Sequence, residues 1–204
     1  MILLQPTYFS PIIQYVAIAK SKQVIFEFED NFQKQTYRNR CYIYSSNGKQ
    51  LLNVPIQHTK NIKQKTKDVK IDYKDDWNKL HLKTLQTAYN SSPFFEFYID
   101  DLLPIFNKQT IFLIDLNLKC HEFVMDALQL QLPFEKTTEY QKEIDYLDLR
   151  KLAIAKGENI FQLERYFQVF EQNHGFISNL SILDLLFMEG PNTLNYLESQ
   201  NIKF

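Results

Sequence analysis

The sequence predicts an α/β fold: an N-terminal β-loop-α-β unit forms a parallel sheet core, with an added hairpin and a mostly helical C-terminal half. Three observations support this prediction. The apolar run Ile2–Leu4 precedes a helical stripe over Ile12–Ala19 and then the β-prone run Gln23–Phe28. The pair Asn47-Gly48 is typical of a hairpin turn. After about residue 75, apolar residues recur mainly at helical spacing.

The first thirty residues place loop residues at one edge of the predicted sheet. Ile2–Leu4 is apolar on both sides, which predicts a central parallel strand. Pro6 and Pro11 stiffen the loop that follows, and Ser10 is the predicted N-cap, with Pro11 as the first helical residue. Gln23–Phe28 is the second predicted strand. A β-loop-α-β unit of this kind holds ligands at the carboxyl ends of its strands.

The next part of the chain predicts a hairpin and a loop. Cys41–Tyr44 and Gln50–Ile56 are the two strands, joined by a type I′ turn over Ser46–Lys49. Lys60–Lys70 is rich in lysine and predicts a solvated loop, with a short strand near Val69–Ile71.

The remainder of the chain predicts helices and one further strand. A strand is predicted over Phe134–Thr138, and residues 139–159 receive no assignment. Helices are predicted over Trp77–Ala88, Ser92–Leu103, residues 111–130, Ile160–Phe170, Leu180–Glu189 and from Asn192 onward. We find no internal repeat, so residues 1–204 are taken as one domain, mixed α/β to about residue 75 and mainly helical after it.

The composition excludes several classes of protein. Four glycines and the absence of glycine-loop motifs exclude a phosphate-cradling loop or a nucleophile elbow. A net charge of −1 argues against nucleic acid as a partner. Two cysteines and four scattered histidines predict no disulfide framework and no metal site. The start lacks signal-peptide features and no apolar run is long enough to span a membrane, so we expect a cytoplasmic protein.

Two polar clusters near the predicted strand ends are candidates for ligand binding. Gln5, Thr7 and Tyr8 lie in the loop after the first strand, where backbone amides at the helix start can hold an anion; packing of Tyr8 on the core is the structural alternative. The second cluster is Lys34, Arg38, Asn39 and Arg40, which contains two of the four arginines in the chain. It is the best candidate for an anion site, because arginine and lysine bind phosphate and carboxylate. The structural alternative is a plain cluster of surface charges.

Two further residues are candidates for proton chemistry. Trp77 and His81 lie at i and i+4 on one predicted helix face, and a neutral imidazole can act as general base; packing beside Trp77 is the more common role of such a histidine. Asp184 lies inside an apolar run and needs a partner. It either pairs with a core Arg or Lys, which is the favoured interpretation, or orients a catalytic histidine.

Polar residues at predicted helix starts complete the candidates. Ser92, Asn179 and Ser181 are first of all helix caps, and we include them among the substrate-binding candidates. Cys41 follows Arg40, a setting that can activate a thiolate, although a buried strand cysteine is the favoured interpretation.

Read together, four stretches resemble the WbqC-like protein family. They are Gln5-Pro6-Thr7-Tyr8-Phe9-x-Pro11 with Tyr15; Lys34-x-x-x-Arg38-Asn39-Arg40 with the Asn47-Gly48 hairpin and Leu52-x-Val54-Pro55-Ile56; Trp77-x-x-x-His81 leading to Ala88-Tyr89-x-x-Ser92-Pro93-x-Phe95; and Asn179–Phe187 with Glu189-Gly190. Met188 departs from the polar residue expected at its position.

The resemblance implies a role in polysaccharide or O-antigen amino-sugar metabolism. By association, it implies transfer of an acyl or aminoacyl group to an amine on a phosphate- or nucleotide-bearing substrate. The candidate residues above would then supply His81 as base and Arg38 and Arg40 as anchors. A non-catalytic binding or scaffold protein of the same pathway is the alternative, and a role linked to RNA is a weaker third. The expected partner is a small anionic molecule such as a nucleotide-linked sugar; cofactor and oligomeric state stay open.

Overall fold

A four-stranded parallel sheet forms one part of the fold. The computed structural model describes residues 1–57, 63–156 and 161–204. The sheet has the strand order β5-β2-β1-β6, and all of its pairs are parallel. Its strands are β1 (Ile2–Leu4), β2 (Val24–Phe26), β5 (Phe134–Lys136) and β6 (Leu147–Asp148). The predicted central position of β1 is confirmed, because it pairs with β2 on one side and β6 on the other.

The strand order reverses beside β1. The chain runs outward from β1 to β2 and β5, and then returns to place β6 on the opposite side of β1. In open α/β sheets, the carboxyl ends of the strands at such a reversal form a crevice that binds ligands. The fold therefore provides a binding crevice between the ends of β1 and β6.

The predicted hairpin is confirmed, but its turn is shifted by one residue. β3 (Arg40–Ser45) pairs antiparallel with β4 (Gly48–Asn53), and Ser45 pairs with Gly48. Ser46 and Asn47 are therefore the two loop residues, and Gly48, with a φ of 90°, follows the turn. A positive φ favours glycine. This explains why a glycine stands at position 48, although it does not lie inside a type I′ turn as predicted.

Seven α-helices are described in the covered ranges, and most of them match the predicted segments. They are α1 (Ile12–Ala19), α2 (Trp77–Tyr89), α3 (Phe95–Asn107), α4 (Leu113–Ala127), α5 (Glu171–His174), α6 (Ile182–Glu189) and α7 (Thr193–Ser199). The α6 helix is buried along its length, as predicted, and ends at Gly190. A Cβ at Gly190 would lie 2.5 Å from the Phe94 ring, so only glycine fits there.

The prediction of a helix over Ile160–Phe170 is wrong. Residues 161–168 have no regular secondary structure. Tyr166 and Gln168 are buried while Phe167 is exposed, which is the alternation of an extended segment. Contacts from elsewhere replace helical hydrogen bonds; for example, the backbone N–H of Glu164 donates to Gln200 Oε1 at 2.9 Å.

The N-termini of α1 and α6 cap each other, which corrects the prediction that Ser10 caps α1. Asn179 Oδ1 accepts the N–H of Ile13 at 2.9 Å, and the N–H of Ile12 donates to the Leu180 carbonyl. In return, the N–H of Ile182 donates to the Ser10 carbonyl. The Ser10 hydroxyl instead hydrogen-bonds to Thr7.

The predicted loop Lys60–Lys70 is described only from residue 63 onward. Within it, Ile71 and Lys70 each form an isolated bridge, to Ile56 and Phe112, near the predicted strand. The predicted start of α3 at Ser92 is also wrong. The Ser92 hydroxyl donates to the carbonyl of Tyr89, the last residue of α2, at 2.7 Å, and α3 begins only at Phe95.

Candidate functional site

A polar cleft of about 420 Å³ lies at the carboxyl edge of the parallel sheet. Three of its lining residues follow strand ends directly or closely: Gln5 after β1, Asp30 after β2 and Arg150 after β6. Its volume falls within the range of small-molecule sites. The lining consists of Gln5, Asp30, Asn31, Gln33, Arg38, Tyr140, Lys142, Asp148, Arg150, Lys151 and Ile154.

Asp30 is the centre of one wall of the cleft. Arg38 forms a salt bridge with its Oδ2, and Gln5 Nε2 donates to the same oxygen at 2.9 Å. Thr66 Oγ1 donates to Oδ1 at 2.6 Å. All four side chains are buried. These bonds fix the positions of the Arg38 and Gln5 side chains, because a buried ion pair of this kind is costly to break.

Two polar atoms in this wall have no protein partner within the described residues. They are Gln5 Oε1 and Arg38 Nε, on side chains that are each only 2% exposed. An unpaired buried polar atom costs free energy unless a ligand or water satisfies it. One atom accepts and the other donates, so together they suit a ligand that has both an acceptor and a donor group.

Arg150 organises the opposite wall. Its guanidinium binds both oxygens of Asp148 and donates to Glu27 Oε2 at 3.0 Å. Glu27 is fully buried and also accepts from Thr137 Oγ1 at 2.8 Å. The hydrogen bonds that Arg150 donates to Asp148 lower the pKa of Asp148, and the same bonds raise the pKa of Arg150. Both groups therefore stay charged near neutral pH.

The lining favours an anion. Its charged side chains are two carboxylates and four cations: Asp30, Asp148, Arg38, Lys142, Arg150 and Lys151. A cleft with an excess of positive charge attracts anionic ligands, and arginine binds phosphate or carboxylate through planar, paired donors. Among the described residues, no group of three or more His, Cys, Asp or Glu side chains is arranged to hold a metal ion.

Only part of the predicted anion cluster lies in the cleft. Arg38 and Gln5 line it, whereas Asn39 binds the Val54 carbonyl and Asn53 across the hairpin. Lys34 is exposed and Arg40 is half-buried, and neither lines the cleft.

The predicted base lies in a separate aromatic cluster. His81 is buried against Trp77, and its Nδ1 is 3.0 Å from Tyr8 Oη. Burial lowers the pKa of His81 to about 4, so the ring is neutral at pH 7. Tyr8, Trp77 and His81 are absent from the cleft lining. The structure thus brings Gln5 and Arg38 together and places the aromatic residues deeper in the core.

Asp184 belongs to a closed polar cluster in the core, and its partners differ from the predicted Arg, Lys or His. Tyr89 Oη donates to it at 2.6 Å, Tyr166 Oη donates to its other oxygen, and Gln168 Nε2 donates at 3.1 Å. Burial raises the pKa of Asp184, and these hydrogen bonds oppose the rise. We call these four residues the Asp184 cluster.

The remaining candidates make contacts at helix ends. Thr7 Oγ1 donates to Gln14 Oε1 at 3.2 Å, inside α1. Ser92 binds the Tyr89 carbonyl at the end of α2 and Asn179 caps α1, as described above. Ser181 caps α6 by accepting the N–H of Leu183, and its hydroxyl donates to the Phe9 carbonyl.

Sequence reasoning missed most of the cleft. Asp30, Asp148 and Arg150, which line the cleft, and Glu27, which binds Arg150, were absent from the candidate residues. Arg150 carried the one usable signal, since arginine is rare in this chain and lysine is common. Glu27 and Asp30 follow β2, and Asp148 is the last residue of β6, which has only two residues and gives no recognisable strand pattern.

Comparison with known proteins identifies the family. The model of the WbqC-like protein family matches residues 5–159, which include both walls of the cleft. Rv1507c, an uncharacterized protein of Mycobacterium tuberculosis, is 32% identical over 92 residues, covering 45% of this chain and 39% of that protein. No solved structure matches.

The helices offer one further finding. In the part of the chain that the structure describes, no helix combines the length and the apolar character that crossing a bilayer requires.

The family match covers well over half of the chain and contains the carboxyl-edge cleft. On that evidence, this chain belongs to the WbqC-like protein family.

Proposed function

We propose that the carboxyl-edge cleft binds a phosphate- or nucleotide-bearing amino sugar and that the protein transfers an acyl or aminoacyl group to its amine in the cytoplasm. The observation behind the proposal is the pair of unpartnered, buried atoms Arg38 Nε and Gln5 Oε1 in a cleft with excess positive charge. The role in polysaccharide or O-antigen metabolism comes from the family association alone.

Each unpartnered atom has a matching group on such a substrate. Arg38 Nε is an N–H donor, and its most favourable acceptor is a phosphate oxygen, because charge-assisted hydrogen bonds are the strong ones. Gln5 Oε1 is an acceptor and fits a hydroxyl or amine of the sugar. Arg38 cannot turn away to find other partners, since Asp30 holds its Nη2. The site is thus preorganised for an anion that carries a donor group.

The acid-base part of the proposal rests on His81. A neutral imidazole at pH 7 has the correct charge state to accept a proton. His81 does not line the cavity, so its role is tested separately from that of the cleft residues. His81→Gln is expected to abolish transfer while leaving ligand affinity within about twofold. A turnover equal to that of the unmodified protein would remove His81 from the mechanism. The catalytic role predicted for Asp184, which was to orient a histidine, stays a prediction that turnover of Asp184→Asn tests; its described partners are Tyr89, Tyr166 and Gln168.

A non-catalytic binding protein of the same pathway is the second candidate. One observation favours it: both carboxylates that line the cleft, Asp30 and Asp148, are bound by arginines. The hydrogen bonds from Arg150 lower the pKa of Asp148, which makes that carboxylate a poor proton acceptor.

Calorimetric titration tests the binding step. The probes are pyrophosphate and uridine diphosphate glucosamine. Arg38→Lys keeps the positive charge but removes the Nε donor, so we expect about tenfold weaker binding of both probes. The matched control is Arg165→Lys, an exposed arginine that pairs with Glu171 away from the cleft. Absence of binding to the unmodified protein, or equal affinity in the two variants, would contradict the proposal.

Mass spectrometry separates the two candidates. The protein is incubated with the amino-sugar probe and, in turn, an acyl-coenzyme A and an aminoacyl adenylate. A product with the mass of the acylated amine supports the enzyme. Binding without any product from either donor class supports the binding protein.

A further inference from the structure

Arg150 contacts the segment 140–142, of which Tyr140 and Lys142 line the cleft. The guanidinium donates to the Gln141 carbonyl at 2.9 Å and to the Lys142 carbonyl at 3.4 Å. Its carbon atom also lies 5.0 Å from the centre of the Tyr140 ring. The position of Tyr140 is therefore fixed by a cation-π contact and by hydrogen bonds to the next two residues.

Two ion pairs hold the Arg150 side chain in one position. Asp148 and the buried Glu27 hold the guanidinium from β6 and from the end of β2. Its side chain is only 11% exposed. A side chain held by two carboxylates loses little further entropy when a ligand binds. Arg150 thus acts as a positioning residue for Tyr140 and does not need to touch the ligand.

Tyr140 is a large aromatic ring presented to the cleft. It lines the cavity together with Gln5 and Arg38, and it is 52% exposed. Arg150 occupies one part of the ring surface, and the exposed remainder has no use in core packing. Lys142 and Lys151 line the same cavity and place two further cations near the ring.

We propose that Tyr140 is the platform on which the base of a nucleotide stacks, with the phosphates bound by Arg38 and the neighbouring lysines. This inference rests on the proposed function and narrows its substrate class to nucleoside diphosphates. Bases stack on tyrosine because every base has a π-face, and such stacking contributes measurably to affinity. The cation behind the ring, Arg150, keeps the platform fixed before the ligand arrives, which reduces the entropy cost of binding.

Titration calorimetry with three probes tests the platform. Uridine diphosphate carries base, ribose and phosphates; ribose 5-phosphate lacks the base, and pyrophosphate lacks both base and sugar. Tyr140→Ala is expected to weaken uridine diphosphate binding at least about fivefold. It should leave pyrophosphate binding within about twofold. Tyr140→Phe keeps the ring and should keep the affinity.

The control is Phe167→Ala, which removes another exposed aromatic ring from outside the cleft and should change no affinity. If Tyr140→Ala weakens ribose 5-phosphate as much as uridine diphosphate, the ring holds the sugar and the inference is wrong. If uridine diphosphate binds no better than pyrophosphate and Tyr140→Ala has no effect, the inference fails while the phosphate site stands. If no probe binds the unmodified protein, the proposed function fails first.

Discussion

Two buried aspartates show how the same side chain serves two different ends in this fold. Asp30 lies beside the cleft and is bound by Arg38, Gln5 and Thr66. Asp184 lies in the core and is bound by two tyrosine hydroxyls and Gln168. Around Asp184 every side-chain polar atom of the cluster has a partner, whereas around Asp30 both Gln5 and Arg38 keep an unpartnered atom.

The difference separates a stabilising network from a binding one. A network with all its groups paired gains nothing from a ligand, and it holds three parts of the chain together: α2, α6 and the extended segment 161–168. Unpaired buried atoms lower the stability of the folded protein, and a ligand that forms hydrogen bonds with them on binding restores it. We therefore expect substitutions in the Asp184 cluster to affect stability and those around Asp30 to affect binding.

The largest expected effect is that of Asp184→Ala. The change removes the acceptor of the Tyr89 and Tyr166 hydroxyls and one of the acceptors of Gln168 Nε2, so the free energy of unfolding should fall by about 3 kcal/mol or more. Urea denaturation followed by circular dichroism measures it. Uridine diphosphate affinity of the folded fraction should not change. A loss below about 1 kcal/mol would contradict the assignment of Asp184 as a structural centre.

The next largest effect is the loss of stability at low pH, which arises from two buried histidines in the core. Burial lowers the pKa of His81 and His121 to about 4, below the ordinary value near 6.5. The unfolded chain therefore binds these protons first. The stability that the neutral rings contribute is complete above about pH 6.5 and is lost as the pH falls through about 4, up to about 3 kcal/mol for each ring.

Comparison of His121→Phe with the unmodified protein measures this pH dependence. The variant should lose less stability between pH 7 and pH 4, because the phenyl ring does not titrate. His174→Gln is the control, since His174 is exposed. Parallel curves for His121→Phe and the unmodified protein would overturn the expectation.

A pair of buried glutamines gives the sharpest test of the comparison. Gln168 uses both ends of its amide, with Nε2 on Asp184 and Oε1 accepting the Ile177 N–H at 2.9 Å. Gln5 uses Nε2 alone. Gln168→Leu should cost about 2 kcal/mol, and Gln5→Leu less than about 1 kcal/mol. Thermal melts measure both variants. Equal costs would mean that the two networks do not differ.

The smallest effect concerns the cap between α1 and α6. Asn179→Ala removes the acceptor for the Ile13 N–H and should cost about 1 kcal/mol. Asn179→Gly should cost less, because Asn179 has a φ of 55°, which glycine adopts freely. Urea denaturation of both variants gives the order. Ligand affinity should be equal in the two, since Asn179 does not line the cleft.

The sequence supported the fold better than it supported the site. Ile2–Leu4 has an apolar pattern that only a central strand satisfies, and α6 has the continuous apolar run of a buried helix, so both were predictable. Arg38 was found because arginine is rare here. Asp148 and Arg150 were not, because a two-residue strand leaves no periodic signal.

Long-range contacts account for the other errors. Leu163 and Tyr166 stand at helical spacing, but Gln168 and Tyr166 are held extended by Asp184, which lies on another element. Likewise, Ser10 has the local pattern of a cap, yet Asn179 takes that place. Tertiary hydrogen bonds decided both cases against the local preference.

The reciprocal cap also has a consequence for the synthesis of this protein. The acceptor for the Ile13 N–H is 166 positions further along the chain. While a ribosome is still adding those residues, the first helix is made but its N-terminus has only water as a partner. Contacts of such sequence separation are slow to form. The cap that joins α1 to α6 can therefore form only after Asn179 has been made, later than all the strands of the parallel sheet.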